Sequence, residues 1–172
     1  MVIIRTKKFI LRPFKKKDEI SLAENINDKI IARNTLTIPH PYTLKDARDW
    51  IRKKLKENKK KKLLKMDFVI DIYGEVAGSI GFNKIEGHRA EVGCWLARKF
   101  WNKGIMTQAL KRLTMFGFEK LKLRRIYAYV FPFNKTSMRV LEKAGYKFEG
   151  ILKKHTKKGN KILDDYLFTK VK

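Results

Sequence analysis

The stretch that decides the fold covers residues 91–110 and reads EVGCWLARKFWNKGIMTQAL. Its first part, residues 92–96, has the apolar pattern of a β-strand and ends at a short basic turn that carries one glycine, Gly104. A helical pattern starts directly afterwards, at Thr107. A strand, a tight turn and a helix start bring several backbone N–H groups to one point, with the positive end of the helix dipole behind them. The stretch therefore predicts a phosphate site, with an ordinary βα turn as the alternative.

The length and composition of the chain favour a single domain that covers residues 1–172. With 172 residues, of which 44% are hydrophobic, the chain can bury one substantial core, whereas two domains would each have a thin one. Disorder is expected only at the termini and near residues 58–62, a polar segment that leads out of a helix.

The chain carries a formal net charge of +25, from 42 Lys and Arg against 17 Asp and Glu. Such a field favours anionic partners, namely nucleotide-like cofactors, RNA, ribosomal surfaces or acidic lipid. The basic residues are spread over nearly every segment, however. A solvated surface in a lysine-rich proteome is therefore the alternative that this even distribution favours.

The cysteine content and the lack of long apolar segments indicate an intracellular protein. Cys94 is the only cysteine, so no intramolecular disulfide can form and a reducing, cytoplasmic setting is expected. The N-terminal residues show no sustained apolar run, so no signal peptide is predicted. No stretch approaches the ~20 apolar residues that a membrane span needs. Cys94 would alternate away from Glu91 in a strand, and it is expected in the core rather than as a nucleophile.

Hydrophobic periodicity along the chain predicts the element order β-α-α-β-β-β-α-β-α-β-β. Strands are predicted at residues 3–11, 66–72, 75–85, 89–96, 125–131, 146–154 and 161–169. Helices are predicted at 18–26 with Asp18 as N-cap, from a Thr43–Asp46 capping box onward, at 107–120, and at 135–143 with Gly145 as C-cap. The strand–helix–strand succession between residues 91 and 131 implies one parallel pair. The fold class is therefore α+β (α/β/α), with a mixed, mostly antiparallel sheet and about four helices.

Three further residues could carry chemistry together with the basic turn. Asn134 and Ser137 follow the strand 125–131, and parallel strands joined by a helix end side by side, so both residues are expected near the turn. Asn134 can bond an amide and Ser137 can donate a proton, whereas helix capping by Asn134 is the structural alternative. Glu91 is an acidic residue in an apolar strand and could act as a general base, with a solvent-facing edge position as its alternative.

The histidines carry no metal-binding pattern. His40, His88 and His155 lie far apart in the sequence and lack the spacing of metal ligands, so no metal site is predicted.

Taken together, these residues resemble the GCN5-related N-acetyltransferase (GNAT) superfamily, and within it the RimJ/RimL-type branch that acetylates the N-termini of ribosomal proteins. The resemblance covers almost the whole chain. The segments that carry it are 9–14, 38–43 with Asp46, Ala47 and Trp50, 91–96, 101–109, 134–137, 141–146 and 149–150. Each segment alone matches the superfamily only weakly, whereas the segments together, in this order, are a specific match.

The resemblance implies acetyl-coenzyme A (acetyl-CoA) as the acetyl donor. The residues that it assigns to the pyrophosphate loop are Trp101, Asn102, Lys103, Gly104, Ile105, Met106 and Thr107. It implies that Trp95 and Leu96, at the end of the strand, pair with the pantetheine arm, and that this strand and the strand 125–131 splay apart. It also implies that Asn134 bonds the pantetheine and that Ser137 lies near the thioester sulfur.

The chain departs from the superfamily pattern at three positions. Trp101 stands where Gln or Arg is usual, and Met106 stands where Gly or Ala is usual. Leu141 stands where many members carry a tyrosine acid, so this role would pass to Ser137, with Tyr146 as a weaker candidate.

The implied reaction is direct attack of a primary amine on the thioester, with a protein N-terminal α-amine as the acceptor. Glu91 would be the base, through water, and Ser137 the acid that protonates the departing thiolate. The uncharged loop 35–42 would line the acceptor pocket with Pro39, His40 and Tyr42. A small-molecule acetyltransferase for polyamines or aminoglycosides and a non-catalytic RNA- or ribosome-binding module remain open, as does a homodimer that pairs through the C-terminal hairpin.

Overall fold

The structure, a computed structural model, describes residues 2–57 and 65–172, which form two compact units. The first unit contains the chain up to Asn83 together with Gly93–Ile105, and the second contains Lys84–Val92 and Met106–Lys172. The predicted polar exit at residues 58–62 lies outside the described residues. The single domain over residues 1–172 stays a prediction.

The described residues form five helices and eight strands. The helices are α1 (Glu19–Ile26), α2 (Lys29–Asn34), α3 (Leu44–Glu57), α4 (Ile105–Glu119) and α5 (Lys135–Lys143). The strands are β1 (Ile4–Arg5), β2 (Ile10–Arg12), β3 (Met66–Ile72), β4 (Glu75–Glu86), β5 (Arg89–Leu96), β6 (Arg125–Val130), β7 (Lys147–Lys158) and β8 (Lys161–Val171).

Strand pairing is antiparallel except between β5 and β6, among the pairs whose register is defined in the described residues. In the first unit the hydrogen-bonded order is β1-β2-β3-β4, and in the second it is β5-β6-β8-β7. The predicted α+β fold, with a mixed and mostly antiparallel arrangement and one parallel pair, is confirmed.

The parallel pair of β5 and β6 lies within the second unit. Its register runs from Arg89 opposite Arg125 to Glu91 opposite Tyr127. Strand β5 ends at Leu96, and β6 continues to Val130 along β8.

The predicted helix boundaries are confirmed where side chains cap the backbone locally. At the start of α3, the Thr43 amide donates to Asp46 Oδ2 at 2.8 Å and the Asp46 amide donates to Thr43 Oγ1 at 3.2 Å, which is the predicted capping box. At the end of α5, Gly145 adopts a φ of 85° and its amide donates to the Glu142 carbonyl at 2.9 Å.

The N-terminal strand prediction at 3–11 is wrong, because a turn divides this segment into β1 and β2. The Thr6 hydroxyl donates to the Phe9 carbonyl at 2.8 Å and accepts from the Phe9 amide at 3.0 Å. The two short strands then pair with each other as a hairpin. A hydroxyl that closes a turn on its own backbone outweighs the apolar pattern here.

Asp18 stands at the N-cap position of α1, as predicted, but its side chain does not cap the helix. Asp18 is almost fully buried and makes no side-chain cap bond to α1. Its carboxylate instead accepts from Arg12 Nη1 and Nη2, both at 2.8 Å, and Arg12 Nε also donates to Asp71 at 2.6 Å. A buried charge needs a partner, and the guanidinium brought by β2 supplies it.

One helix was not predicted, and another begins earlier than predicted. Helix α2 is additional, and it forms because Asp28 Oδ1 accepts from the Ile30 and Ile31 amides at its start. Helix α4 begins at Ile105 rather than at Thr107. The basic turn is therefore two residues shorter than the sequence pattern indicates, and the helix start follows Gly104 directly.

Candidate active site

The turn between β5 and α4 has the backbone geometry of an anion-binding nest. It begins where the Ala97 amide donates to the Ala77 carbonyl at 2.9 Å and continues through one 3₁₀ turn, Arg98–Phe100. Asn102 and Gly104 then both adopt left-handed conformations, with φ of 59° and 72°. Left-handed residues alternating with right-handed ones point successive N–H groups to one side, where an anion can bind.

Trp101 holds this turn against the end of β5. Its indole Nε1 donates to the Leu96 carbonyl at 2.7 Å, and both Trp101 and Trp95 pack against the hydrophobic core of the first unit. The departure from Gln or Arg at this position thus has a structural role, because the indole fixes the strand end relative to the turn. Trp95, predicted to bind cofactor, contributes its side chain to packing.

Basic side chains surround the turn. Lys8 Nζ donates to the Lys103 carbonyl at 3.3 Å, which places the Lys8 ammonium against the backbone of the turn. Two other cations of the turn carry carboxylate partners: Arg98 pairs with Asp28 and Lys99 pairs with Glu75. The turn is therefore positively charged and suits a phosphate group electrostatically.

The turn has room for a ligand at its glycine. A Cβ placed on Gly104 would meet no atom within 4 Å. Met106 and Ile105 are buried, so the larger side chain at 106 lies in the interior and leaves the turn open. Thr107 is half-buried in the first turn of α4. These residues fit a diphosphate, which needs converging N–H donors, positive charge and space.

In the second unit, Asn134 caps α5 as the structural alternative predicted. Its Oδ1 accepts from the Ser137 amide at 3.2 Å, and its side chain is buried. The cap uses only the oxygen of the amide, which leaves the Nδ2 hydrogens as donors for a ligand carbonyl. Ser137, half-buried in the first turn of α5, carries its hydroxyl beside this cap.

Glu91 lies half-buried at the last register position of the parallel pair, opposite Tyr127. Burial raises the pKa of Tyr127 and of Tyr129, and the nearby negative charge of Glu91 raises both further. Glu91 therefore shares one face of the second unit with two tyrosines that stay protonated at neutral pH.

Leu141 on α5 and Tyr146 after it, the two other positions considered for a general acid, have structural roles. Leu141 is buried in the helix, as a core residue is expected to be. The Tyr146 hydroxyl and the Thr114 hydroxyl are 2.7 Å apart, and both side chains are buried. This hydrogen bond ties Tyr146 to α4, so Ser137, which is half-buried, remains the candidate acid.

The loop proposed for the acceptor divides into exposed and buried residues. Pro39 and His40 are exposed, whereas Tyr42 is buried in the core of the first unit, where burial raises the pKa of its phenol to about 12. The Tyr42 amide donates to Asn27 Oδ1 at 2.9 Å. Tyr42 thus anchors the loop, and a role in acceptor binding remains a prediction.

Cys94 does not lie in the core, and that prediction is wrong. Its side chain is exposed, although its neighbours on the same strand face, Val92 and Leu96, are buried. Strand alternation places a side chain on one face of a strand, but it does not tell whether another element covers that position.

Within residues 2–57 and 65–172, no helix is long and apolar enough to cross a membrane. The same ranges contain no group of three or more His, Cys, Asp or Glu residues that could hold a metal ion.

The left-handed Asn102 is the feature of the turn that sequence reasoning missed. Its signal was present, because asparagine is the residue other than glycine that most readily adopts this conformation. The hydrogen bond of Trp101 had no such signal, since it depends on where β5 ends.

The comparisons with known proteins identify the class of protein that this fold and turn define. The family model of the GNAT acetyltransferase domain matches residues 8–147. The chain therefore belongs to the GNAT family of acetyltransferases, as the sequence predicts, and acetyl-CoA is its acetyl donor.

Individual relatives match over nearly their whole length. The chain is 31% identical to the N-acetyltransferase YnaD of Bacillus subtilis, covering 96% of this chain and 94% of YnaD. A crystal structure of a GNAT-family acetyltransferase from Bacillus anthracis is 28% identical, with a TM-score of 0.86 over 99% of this chain and 98% of that one.

The fold is also that of a ribosomal acetyltransferase. RimL, described as a ribosomal L7/L12 α-N-protein acetyltransferase in complex with coenzyme A, has a TM-score of 0.87 at 22% identity, over 99% of this chain and 98% of RimL. This likeness is one of fold.

The nest predicts a specific effect of Gly104→Ala. Alanine fits sterically but resists a φ of 72°, so we expect a loss of about 1–2 kcal/mol in the free energy of unfolding. A peptide flip that relieves the strain would turn N–H donors away, so acetyl-CoA affinity should fall at least about tenfold, or about 1.4 kcal/mol. Titration calorimetry and thermal unfolding measure the two effects.

Gly74→Ala is the matched control. Gly74 has a φ of 86° and equally open surroundings, but it lies in the turn between β3 and β4. It should lose similar stability and keep its acetyl-CoA affinity. Equal affinity losses in both variants would show that the turn after β5 has no special role.

Proposed function

We propose that the protein transfers the acetyl group of acetyl-CoA to the α-amine of a protein N-terminus, in the manner of the ribosomal-protein acetyltransferases. The observation that carries the proposal is the nest of Asn102 and Gly104, placed between the end of β5 and the start of α4. In a chain of the GNAT family, such a nest suits the diphosphate of the donor.

Binding of the donor is assigned residue by residue. The backbone N–H groups from Asn102 to Thr107 would hold the pyrophosphate, with Lys103 adding charge. The backbone of Trp95 and Leu96 would pair with the pantetheine arm in the way that an added strand pairs with a sheet edge. Asn134 would donate from Nδ2 to a pantetheine carbonyl, because its Oδ1 accepts from the Ser137 amide.

The proton transfers are assigned to Glu91 and Ser137. Acetyl-CoA supplies the thioester carbonyl that the acceptor nitrogen attacks. Glu91 would receive, through water, a proton that leaves this nitrogen, and Ser137 would deliver one to the departing sulfur. Backbone N–H groups at the end of β5 would stabilise the oxygen on which negative charge develops.

An α-amine acceptor is favoured over lysine and over small polycations. An α-amine has a pKa near ~8 and a lysine side chain near ~10.4, so the α-amine needs less help to become a nucleophile. A net charge of +25 opposes the approach of polyamines and aminoglycosides. The fold likeness to RimL, which is described as acting on ribosomal L7/L12, supports a ribosomal-protein N-terminus.

The proposal extends to the cellular location of the enzyme and to its oligomeric state. Ribosomal proteins are made in the cytoplasm, so the enzyme would act there, with its basic surface favouring the ribosome. Strand β7 ends the strand order of the second unit. A homodimer would form by pairing of this edge strand with that of a second copy.

An acceptor panel tests the proposed function directly. Purified protein and acetyl-CoA are incubated with N-terminal peptides of ribosomal proteins, an N-blocked lysine peptide, spermidine and an aminoglycoside, and the release of free thiol is measured. We expect the highest kcat/KM with a free α-amine peptide. Faster turnover of spermidine or the aminoglycoside would contradict the proposal. Salt-sensitive RNA binding without any turnover would favour the non-catalytic alternative.

Ser137→Ala tests the assigned acid. Loss of a general acid typically lowers a rate by about 10²–10⁴-fold, so kcat should fall about a hundredfold or more. Acetyl-CoA affinity should persist, because the backbone amide of residue 137 still bonds Asn134. Thr136→Ala removes the exposed neighbouring hydroxyl of α5 and should leave kcat unchanged. A kcat of Ser137→Ala equal to that of the native protein would exclude the role.

A further inference from the structure

The hairpin of β7 and β8 contains a large bulge in its middle. Leu152 pairs with Asp165 and Thr156 pairs with Leu163, so three residues of β7 lie opposite one residue of β8, Asp164. Lys154 adopts a left-handed φ of 50°, which is costly for a lysine. The Asp164 carboxylate holds it there by accepting from the Lys154 amide at 2.8 Å. Bulges of this kind re-aim side chains and are frequent next to active sites.

The bulge turns His155 onto a buried carboxylate. His155 Nδ1 lies 2.7 Å from Asp165 Oδ2, and the Thr156 hydroxyl donates to the same oxygen. The side chain of Asp165 is 2% exposed and that of His155 is 41% exposed. A carboxylate that accepts from Nδ1–H leaves Nε2 as the proton-accepting nitrogen of a neutral imidazole. The pair is thus oriented as a base and its positioning carboxylate.

The same pair lies next to the tyrosines that share a face with Glu91. The rings of His155 and Tyr129 have centroids 4.9 Å apart, and those of Tyr129 and Tyr127 are 5.5 Å apart. Burial raises the pKa of Tyr129, and the negative charges of Glu91 and, less strongly, Asp165 raise it further, whereas Arg89 and Lys84 lower it. Tyr129 therefore lies within electrostatic reach of both carboxylates, one on each side.

The other charges near His155 are used within the bulge. Asp164 pairs with Lys153 at 3.0 Å as well as with the backbone of Lys154. Asp165 is therefore the carboxylate that contacts the imidazole, and Tyr129 is the group that covers its ring. All of these residues belong to the second unit, together with Glu91 and Ser137.

The chemistry of amine acetylation requires two proton acceptors. An α-amine arrives mainly as R–NH₃⁺ and must lose one proton before its electron pair can form the C–N bond. After the C–N bond has formed, the nitrogen loses a second proton as the C–S bond breaks. One proton ends on the sulfur and the other in solvent, so the equation balances without an oxidant or reductant. Glu91 receives the second proton, Ser137 gives its own proton to the sulfur and regains one from Glu91 through water, and no assigned group receives the first proton.

We propose that His155, oriented by Asp165, accepts the first proton from the arriving acceptor ammonium. The inference rests on the proposed function and deepens it, because it commits the acceptor to a protonated amine that the enzyme itself deprotonates. Nε2 takes the proton, His155 becomes an imidazolium beside Asp165, and the proton then passes to solvent through the exposed face of the ring. Glu91 remains the acceptor of the second proton.

The size of the effect follows from the pKa of the substrate. An α-amine with a pKa near ~8 is about nine-tenths protonated at pH 7. A variant without the histidine can use only the neutral tenth, so its kcat/KM should be about tenfold lower at pH 7. At pH ~9.5 nearly all of the amine is neutral and the loss should disappear.

The test compares His155→Gln, Glu91→Gln and His88→Gln with the native enzyme at pH 7 and pH 9.5, with an α-amine peptide as acceptor. His155→Gln should lose about tenfold at pH 7 and nothing at pH 9.5, whereas Glu91→Gln should lose activity at both. His88→Gln, at an exposed turn, should match the native enzyme. An equal loss of His155→Gln at both pH values, or no loss at pH 7, overturns the inference.

A second measurement does not depend on turnover. Nitrogen–proton correlation spectra of histidine side chains in the native protein should show His155 as the Nδ1–H tautomer, and Asp165→Asn should change it. If His155 is found as the Nε2–H tautomer, the inference is overturned, whereas the proposed function is not affected. If the native enzyme acetylates none of the panel amines, the proposed function fails, and the inference that depends on it fails as well.

Discussion

The structure of the basic turn depends on one hydrogen bond at the end of a strand. Strand β5 ends at Leu96, and the indole of Trp101 fixes this end by donating to the Leu96 carbonyl at 2.7 Å. A strand end that is held by a hydrogen bond gives the following turn a fixed starting point. The turn that follows then has defined positions for the left-handed Asn102 and Gly104, and α4 begins directly after it.

The few carboxylates of this basic chain have defined partners. Asp18 and Asp71 are held by Arg12, Asp46 caps α3, and Asp164 fixes the bulge in β7. Each of these carboxylates stabilises the local conformation of the chain through its partner. The net charge of +25 comes from the excess of Lys and Arg over Asp and Glu, and it favours an anionic ligand such as the acetyl donor.

Much of the fold could be predicted from the sequence because the signals were local. The strand Arg89–Leu96 and the helix Lys135–Lys143 have the predicted bounds, and the Thr43–Asp46 box is present. The predictions failed where a distant group decides the outcome. Asp18 pairs with Arg12 on another element instead of capping its helix, and Cys94 is exposed although strand alternation predicts it in the core.

Some residues of the candidate site could likewise be predicted from the sequence, and others could not. Gly104 and Asn134 could be found because glycine and asparagine have strong backbone preferences at turns and caps. The His155–Asp165 pair could not, because an unbulged strand would pair these residues differently, and nothing in the sequence marks the bulge. Positions whose role depends on register thus stay hidden until the strands are aligned.

The most direct test of the account is the position of the transferred acetyl group. A peptide with a free N-terminal serine and one internal lysine is incubated with the enzyme and acetyl-CoA, and fragment-ion mass spectrometry locates the added acetyl. The account predicts one acetyl group on the α-nitrogen, formed only when acetyl-CoA is present. Acetylation of the lysine alone, or an unmodified peptide beside rapid turnover of a small polyamine, would contradict it.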